Sequence, residues 1–379
     1  MKTRRILVVD GNTPWVRSLF MAMPEGVRVA MVRPYHPRMF RAALGASPLW
    51  SGNSRRQLRG DVWEEHAVIA GWTRFGRLSE QILRRRCARA VRLMGGCDAA
   101  VFVIPQYAGL AESFHGAPRV YYAYDPYEFY DWNITATRAG EDRMLRTCEL
   151  SVAISKKLTE DFRPRTSGRL VYSPNAVSEA FVAAMQASPQ PPSDLSALSG
   201  PIVGCTGQIN SSYDWDLIDA VADRLRSITF VFVGNLQEPS LAVRKRIEAT
   251  FARENVRWLG PRNHAALPSY IANFNVCLNP LAVTPHNDRR SPLRLYDYLA
   301  SHQPVVSTAV AEAAVHDGLI AVGHTPEEIA SHIEDALKPG HRVDLPARQS
   351  YISNNTWAAR ARRFLKELEA LETPRRDRL

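Results

Sequence analysis

Residues 276–307 read VCLNPLAVTPHNDRRSPLRLYDYLASHQPVVS, and the reading of this stretch decides the fold. Val276 to Asn279 is a short apolar run of strand length, and Val305 to Ser307 is another. Between them Ser291-Pro292 predicts a helix start, with Ser at the N-cap and Pro in the first helical position. Apolar runs that do not alternate, joined through a helix, predict parallel strands covered on both faces. The helix start presents unpaired N–H groups and the positive end of the dipole, which suits a phosphate. Arg294 then falls in the first turn, where a cation opposes the dipole; an anion held at the site would explain it. Asp297, three residues on, shares that face. An arginine for a pyrophosphate and a carboxylate for a pair of sugar hydroxyls would read a nucleoside diphosphate end to end. The same spacing also serves a plain surface ion pair, so spacing alone leaves both readings open.

The pattern repeats along the chain. Before residue 185 the strand candidates are Ile6–Asp10, Val27–Val32, Ala99–Ile104, Val120–Tyr124, Leu150–Ile154 and Leu170–Tyr172. After it they are Ile202–Cys205, Thr229–Val233, Val256–Leu259, Val276–Asn279, Val305–Ser307 and, more weakly, Leu319–Val322. Three prolines within Pro189–Pro192 cannot continue a helix or a central strand. The expectation is therefore α/β: two doubly wound Rossmann-like domains, 1–185 and 196–352, joined by a Pro-rich linker at 186–195 and facing a central cleft. A last helix, from Trp357 to about Leu371, lies in a C-terminal segment, 353–379, expected to cross back to the first domain and end in a frayed tail. The 379-residue length fits two such domains at roughly 150 residues each.

Composition narrows the class. No apolar run reaches the ~20 residues that span a bilayer, and the N-terminal MKTRRILVVDGN is too short in apolar residues for a signal peptide. The expected compartment is the cytoplasm. Five scattered cysteines without a CxxC pair read as reduced, mostly buried thiols, and no metal-ligand cluster stands out. The net charge of +10 is uneven: residues 1–150 hold 22 Lys+Arg against 14 Asp+Glu, a surplus of +8. The stretch Trp72–Met94 is a basic helix candidate with Arg84, Arg85 and Arg86 clustered and Phe75, Leu78, Ile82 and Cys87 at helical spacing. Such a helix can lie on an anionic membrane, at the inner face of the cell membrane, or be an ordinary surface helix. Aromatics are not interleaved with the basic run, which argues against a nucleic-acid partner, and no GxGxxG supports a nicotinamide site.

Ser291 to Ala300, followed by Gln303 to Thr308, closely resembles the donor-site segment of GT-B-fold glycosyltransferases of family 4, the bacterial cell-surface and exopolysaccharide type, with some similarity to xanthan-type glucuronosyltransferases. Asn255–Arg262, Leu267–Ile271, Val276–Pro280 and Pro201–Gln208 leading to Asp214 and Trp215 follow the same order, as do Tyr122–Glu128, Val152–Ser155 and Ser173–Ala176. The resemblance implies a GT-B glycosyltransferase moving a sugar from a UDP- or GDP-linked donor to a glycan or lipid-linked acceptor in surface polysaccharide synthesis, with no further cofactor and no metal. Sugar-nucleotide epimerases and phosphorylases share the plan, and a catalytically inactive binding subunit is the third alternative. The implied donor site holds Gly207, Gln208, Gly234, Asn235, Arg262, Ser291, Pro292, Leu293, Arg294 and Asp297, with Leu259 to Arg262 flanking the base.

The chain departs from the family pattern at three places. Asp297 stands where Glu is usual. Gln208 lies near a common Arg position, with the usual downstream Lys missing. A frequent family Glu falls on Arg289, so Arg289 or Arg290 would supply positive charge. For catalysis, Asp125 ends the run Val120-Tyr-Tyr-Ala-Tyr-Asp-Pro126, and Glu128 is second choice. An inverting transferase needs a base within hydrogen-bond reach of the acceptor hydroxyl; in a retaining one the Asp would orient the acceptor. Asp125 followed by Pro126 also fits a simple Asx turn. The loop Asp10–Trp15 is expected on the acceptor side.

Overall fold

The computed structural model describes residues 4–35, 55–69, 76–130 and 133–372. They form two compact units: one up to Pro174 and again from Trp357, the other from Asn175 to Thr356.

The first unit is built on β1 (Arg4–Val9), β2 (Val27–Tyr35), β3 (Arg55–Arg59), β4 (Val62–Val68), β5 (Ala99–Phe102), β6 (Arg119–Ala123), β7 (Leu150–Ala153) and β8 (Arg169–Tyr172). They lie in the order β3-β4-β2-β1-β5-β6-β7-β8. Pairing is parallel apart from β3 with β4. Ile6 to Val9 are fully buried, as expected for a strand with both faces covered.

Strands β3 and β4 are additions to the sequence reading. Charges at Glu64 and Glu65 interrupt the apolar run of β4, yet both residues are wholly buried. Each is neutralised by two arginines. Arg17 and Arg33 reach Glu64, while Arg86 and Arg89 reach Glu65 at 3.0 and 2.9 Å. Burial opposes the Glu64 charge, but its bond with His66 and the two guanidiniums hold the carboxyl down at about 2.

That pairing revises the basic helix, which runs Gly76–Met94 and buries Ser79, Leu83, Cys87, Ala90 and Met94. Leu78 is exposed and Ile82 half-buried, so the expected apolar stripe is rotated. Trp72 to Phe75 lie outside the described residues. Arg86 faces the sheet, and Arg84 pairs with Glu80 at 2.7 Å one turn earlier. Among the described residues no helix is long and apolar enough to cross a membrane.

The second unit holds β9 (Ile202–Thr206), β10 (Thr229–Val233), β11 (Val256–Gly260), β12 (Val276–Asn279), β13 (Val305–Thr308) and β14 (Ala321–Gly323). The order is β11-β10-β9-β12-β13-β14, all parallel. Phe230 and Phe232 pack on one face with Ile218, Val221 and Ile247. Val231 and Val233 pack on the other with Phe274, Leu295 and Tyr298. Gly204 is glycine because Phe274 lies against it: a β-carbon there would sit 2.1 Å from the ring.

The units part at Pro174, not at 185. Val177, Phe181 and Met185 are buried in the second unit's core beside Leu195, so apolar contacts carry the helix Glu179–Gln186 into that unit. The Pro-rich stretch is thus internal to the second unit, and Pro192 opens the short helix Ser193–Ser196. The helix Trp357–Glu372 packs on the first unit. Phe364 meets Phe20 edge-on at 5.7 Å and Tyr122 at 6.4 Å, and the Arg360 Nε donates to the Pro174 carbonyl at 3.0 Å. The tail at 374–379 lies outside the described residues. Phe364→Ala should lower the first unit's unfolding free energy by about 3–5 kcal/mol, read as a lowered midpoint in urea; an unchanged midpoint would show that the helix contributes nothing there.

Candidate functional site

Sheet order reverses between β9 and β12, and the crevice at the carboxyl ends of such strands is where ligands bind in open α/β sheets. Gly207 follows β9 with φ of 117°, a conformation that favours glycine. Gly234 follows β10. A β-carbon on Gly234 would fall 1.7 Å from the Gly207 carbonyl oxygen, so the close approach of two backbones, not a turn, demands glycine there. The contact is fixed by Gly207 N–H donating to Val233 O and Gly234 N–H donating to Gly260 O, each at 3.0 Å.

Arg294 reaches this point from the segment after β12. Its guanidinium lies over the Tyr213 ring, 4.6 Å from the centroid, and its Nη1 is 3.3 Å from Cys205 Sγ. A side chain on Gly207 would run into it, the β-carbon position being 3.1 Å from Nη2. Among the described residues Arg294 forms no salt bridge with a carboxylate. The surface-ion-pair reading therefore fails, because Asp297 pairs elsewhere. Asp297 is 4% exposed and lies 3.2 Å from His264 Nε2. Burial pushes its carboxyl up and His264 pulls it back. The bond to Asp297 raises the His264 imidazole above its ordinary value against a smaller desolvation effect. His264 in turn lies on Phe181 at 4.9 Å.

Ser291 is not the helix cap. Its hydroxyl accepts from the Asn175 N–H at 3.0 Å, and its carbonyl accepts from Asn175 Nδ2 at 2.7 Å. The helix is Leu293–Leu299 with Pro292 at the N-cap, so Leu293 opens it and Arg294 stands one position earlier than expected. Pro292, Leu293 and Arg294 are half-buried. Gln208 and Asn235 are exposed. The Gln208 amide donates to Gln237 at 2.7 Å, and the Asn235 carbonyl accepts from Ile209 N–H at 2.9 Å. Arg262 is turned to Tyr270, 2.7 Å away, and to Asp194, 2.5 Å away, so its charge is met by a carboxylate from the Pro-rich stretch. Arg289 donates to Pro285 O at 2.9 Å. Asp214 caps the helix Trp215–Arg224, and Trp215 stacks on Tyr213 at 5.4 Å.

In the first unit the order reverses between β1 and β5. Asp10 follows β1 with φ of 74°, and its carboxylate accepts from Tyr107 OH at 2.8 Å. Asp125, after β6, is 7% exposed and accepts from Tyr130 OH at 2.6 Å. Both carboxylates raise the half-buried Tyr124 hydroxyl, whose largest cause is burial. Glu128 pairs with Arg138 at 2.9 Å on the surface.

Three comparisons bear on this geometry. The family model described as Glycosyl transferases group 1 matches residues 200–339. That match lies within the second unit and covers less than half of the chain. TuaH of Bacillus subtilis, named as a candidate teichuronic acid biosynthesis glycosyltransferase, is 28% identical over 131 residues, 34% of this chain and 32% of that protein; the match spans about a third of the relative's length. Among solved structures, a trehalose-6-phosphate structure from E. coli bound with UDP-2-fluoro glucose is similar at TM-score 0.71 and 12% identity, over 96% of this chain and 99% of that one. Sucrose-phosphate synthase from Thermosynechococcus elongatus gives 0.71 at 12%, over 97% and 99%. Anabaena HepE in complex with UDP and glucose gives 0.66 at 14%, over 97% and 100%. At these identities the likeness carries the GT-B fold. In the sequence neither His264 nor Tyr213 belongs to a spaced motif, so neither stood out before the fold brought them to Asp297 and Arg294. Asp297→Asn should return the His264 pKa downward towards its ordinary value, followed by NMR titration of the imidazole C–H signals; no change would break the coupling.

Proposed function

We propose that the chain transfers a sugar from a nucleotide-diphosphate sugar, UDP- or GDP-linked, to a glycan or lipid-linked acceptor in surface polysaccharide synthesis. One observation carries the reading: a guanidinium without a carboxylate partner, Arg294, held at the carboxyl edge of the second sheet beside the backbone of Gly207 and Gly234. Phosphate oxygens are its natural complement. The diphosphate docks there, and Arg294 stabilises the negative charge that grows on it as the sugar–phosphate bond breaks. Asp297, oriented by His264, accepts from the ribose hydroxyls, with Gly207, Gln208, Gly234, Asn235 and the Pro292–Leu293 backbone around the donor. Arg262 contributes mainly by ordering its own loop through Asp194.

In the first unit Asp125 takes the proton of the acceptor hydroxyl, or orients that hydroxyl if configuration is retained, with Tyr130 fixing its rotamer; Glu128 stands by. Arg85, exposed on the Gly76–Met94 helix, and its neighbour Arg84 would meet anionic headgroups at the inner face of the membrane, which suits a lipid-linked acceptor. UDP, GDP and other nucleoside diphosphates should be screened by thermal shift. Arg294→Gln should weaken the stabilising one by roughly 10–100-fold, the worth of a charge-assisted hydrogen bond. Equal stabilisation of both proteins would refute the donor site. Asp125→Ala should lower transfer by roughly 100-fold or more while nucleotide still binds; normal turnover in that variant would remove Asp125 from the reaction.

A further inference from the structure

Tyr213 lies between β9 and the helix Trp215–Arg224, outside both, yet it is buried. Its main chain is held on two sides. The Tyr213 N–H donates to Asn210 O at 3.3 Å, and the next N–H, of Asp214, donates to Pro280 O at 2.9 Å. Tyr213 also forms an antiparallel bridge with Leu281, just after β12. The ring is held as well. It stacks on Trp215 with 19° between the planes, and the Trp215 indole N–H donates to Asn210 O at 3.0 Å. The ring fixed in this way is the one that the Arg294 guanidinium covers.

Tyr213 and Cys205, both in contact with that guanidinium, are neutral. Burial pushes the Tyr213 hydroxyl and the Cys205 thiol up, with Arg294 the main opposing influence on each, so both keep their protons at pH 7. The thiol sulfur accepts from Arg294 Nη1 at 3.3 Å and itself donates to the Tyr213 hydroxyl at 3.6 Å. A π face attracts a cation without cancelling its charge, and a planar guanidinium stacks on such a face. Packing against Trp215 and Phe232 calls only for an apolar ring; it does not call for a cation on the ring's face.

We infer that Tyr213 is a positioning residue for the donor site: its ring face holds the Arg294 guanidinium beside the Gly207 backbone, ready for a diphosphate, without neutralising it. The inference rests on the reading of Arg294 as the diphosphate's partner. It adds that the ring face, and not the hydroxyl, sets how tightly a nucleotide is held.

The test uses the full chain, with UDP and GDP as probes in calorimetry. Tyr213→Phe should bind the favoured nucleotide within about twofold of the unaltered protein, and Tyr213→Leu about tenfold more weakly, or 1.4 kcal/mol. Added to Arg294→Gln, Tyr213→Leu should cost less than about threefold, because the lost ring then has no guanidinium to hold. If Tyr213→Leu costs as much with Arg294→Gln as without it, or costs nothing in either, the positioning role falls while the donor reading stands. Equal losses from Tyr213→Phe and Tyr213→Leu place the effect on the hydroxyl and overturn the role too. If neither probe binds the unaltered protein, the donor reading and this role fall together. Should Tyr213→Leu fail to fold, the Arg294 Nε–H signal decides. Ring current should move it upfield of an ordinary arginine in the unaltered protein and in Tyr213→Phe, and an ordinary position overturns the role.

Discussion

The carbonyl oxygen of Gly207 occupies the space where any other residue at 234 would place its β-carbon. That single approach draws the carboxyl ends of β9 and β10 together. Because Gly207 also lacks a side chain, the Arg294 guanidinium can lie against the same backbone, with the Tyr213 ring beneath it. Tyr213 is placed in turn by Trp215. The cation is thus positioned by packing and by a π face, neither of which neutralises it, and its charge stays available for a ligand. A carboxylate in Tyr213's place would have left a closed ion pair and no reason for a phosphate to bind.

Most of the fold was legible because strands buried on both faces are written as uninterrupted apolar runs: Thr229–Val233 and Val276–Asn279 match their sequence readings residue for residue. The exceptions are physical. Glu64 and Glu65 hide β4 from any hydropathy argument, since their burial depends on Arg17, Arg33, Arg86 and Arg89 from three other segments. The unit boundary was misplaced because three prolines look like a linker, whereas Phe181 and Met185 decide the matter by where they bury. A local signal was outweighed by a tertiary one.

The site divides the same way. Gly207, Gly234, Arg294 and Asp297 could be selected from type and spacing, and the fold gathers them in the second unit at and around its strand ends. Ser291 misled because a serine before Pro-Leu-Arg looks like a cap; its hydroxyl instead serves the Asn175 N–H, a partner more than a hundred positions away in sequence. His264 and Asp194 carry no pattern of their own, and each acquires meaning only through the residues the fold brings to it, Asp297 and Phe181 for the first, Arg262 and Tyr270 for the second.

Among the described residues the first sheet ends on β3, whose exposed residues include Arg55, Arg56 and Arg59. A sheet margin with free backbone groups invites another copy to add itself as a further strand. Here the newcomer would bring its own row of guanidiniums against an identical row, within the ~8 Å over which charges still act in physiological salt. Added salt, which usually disperses charged proteins, should here weaken the repulsion along that margin.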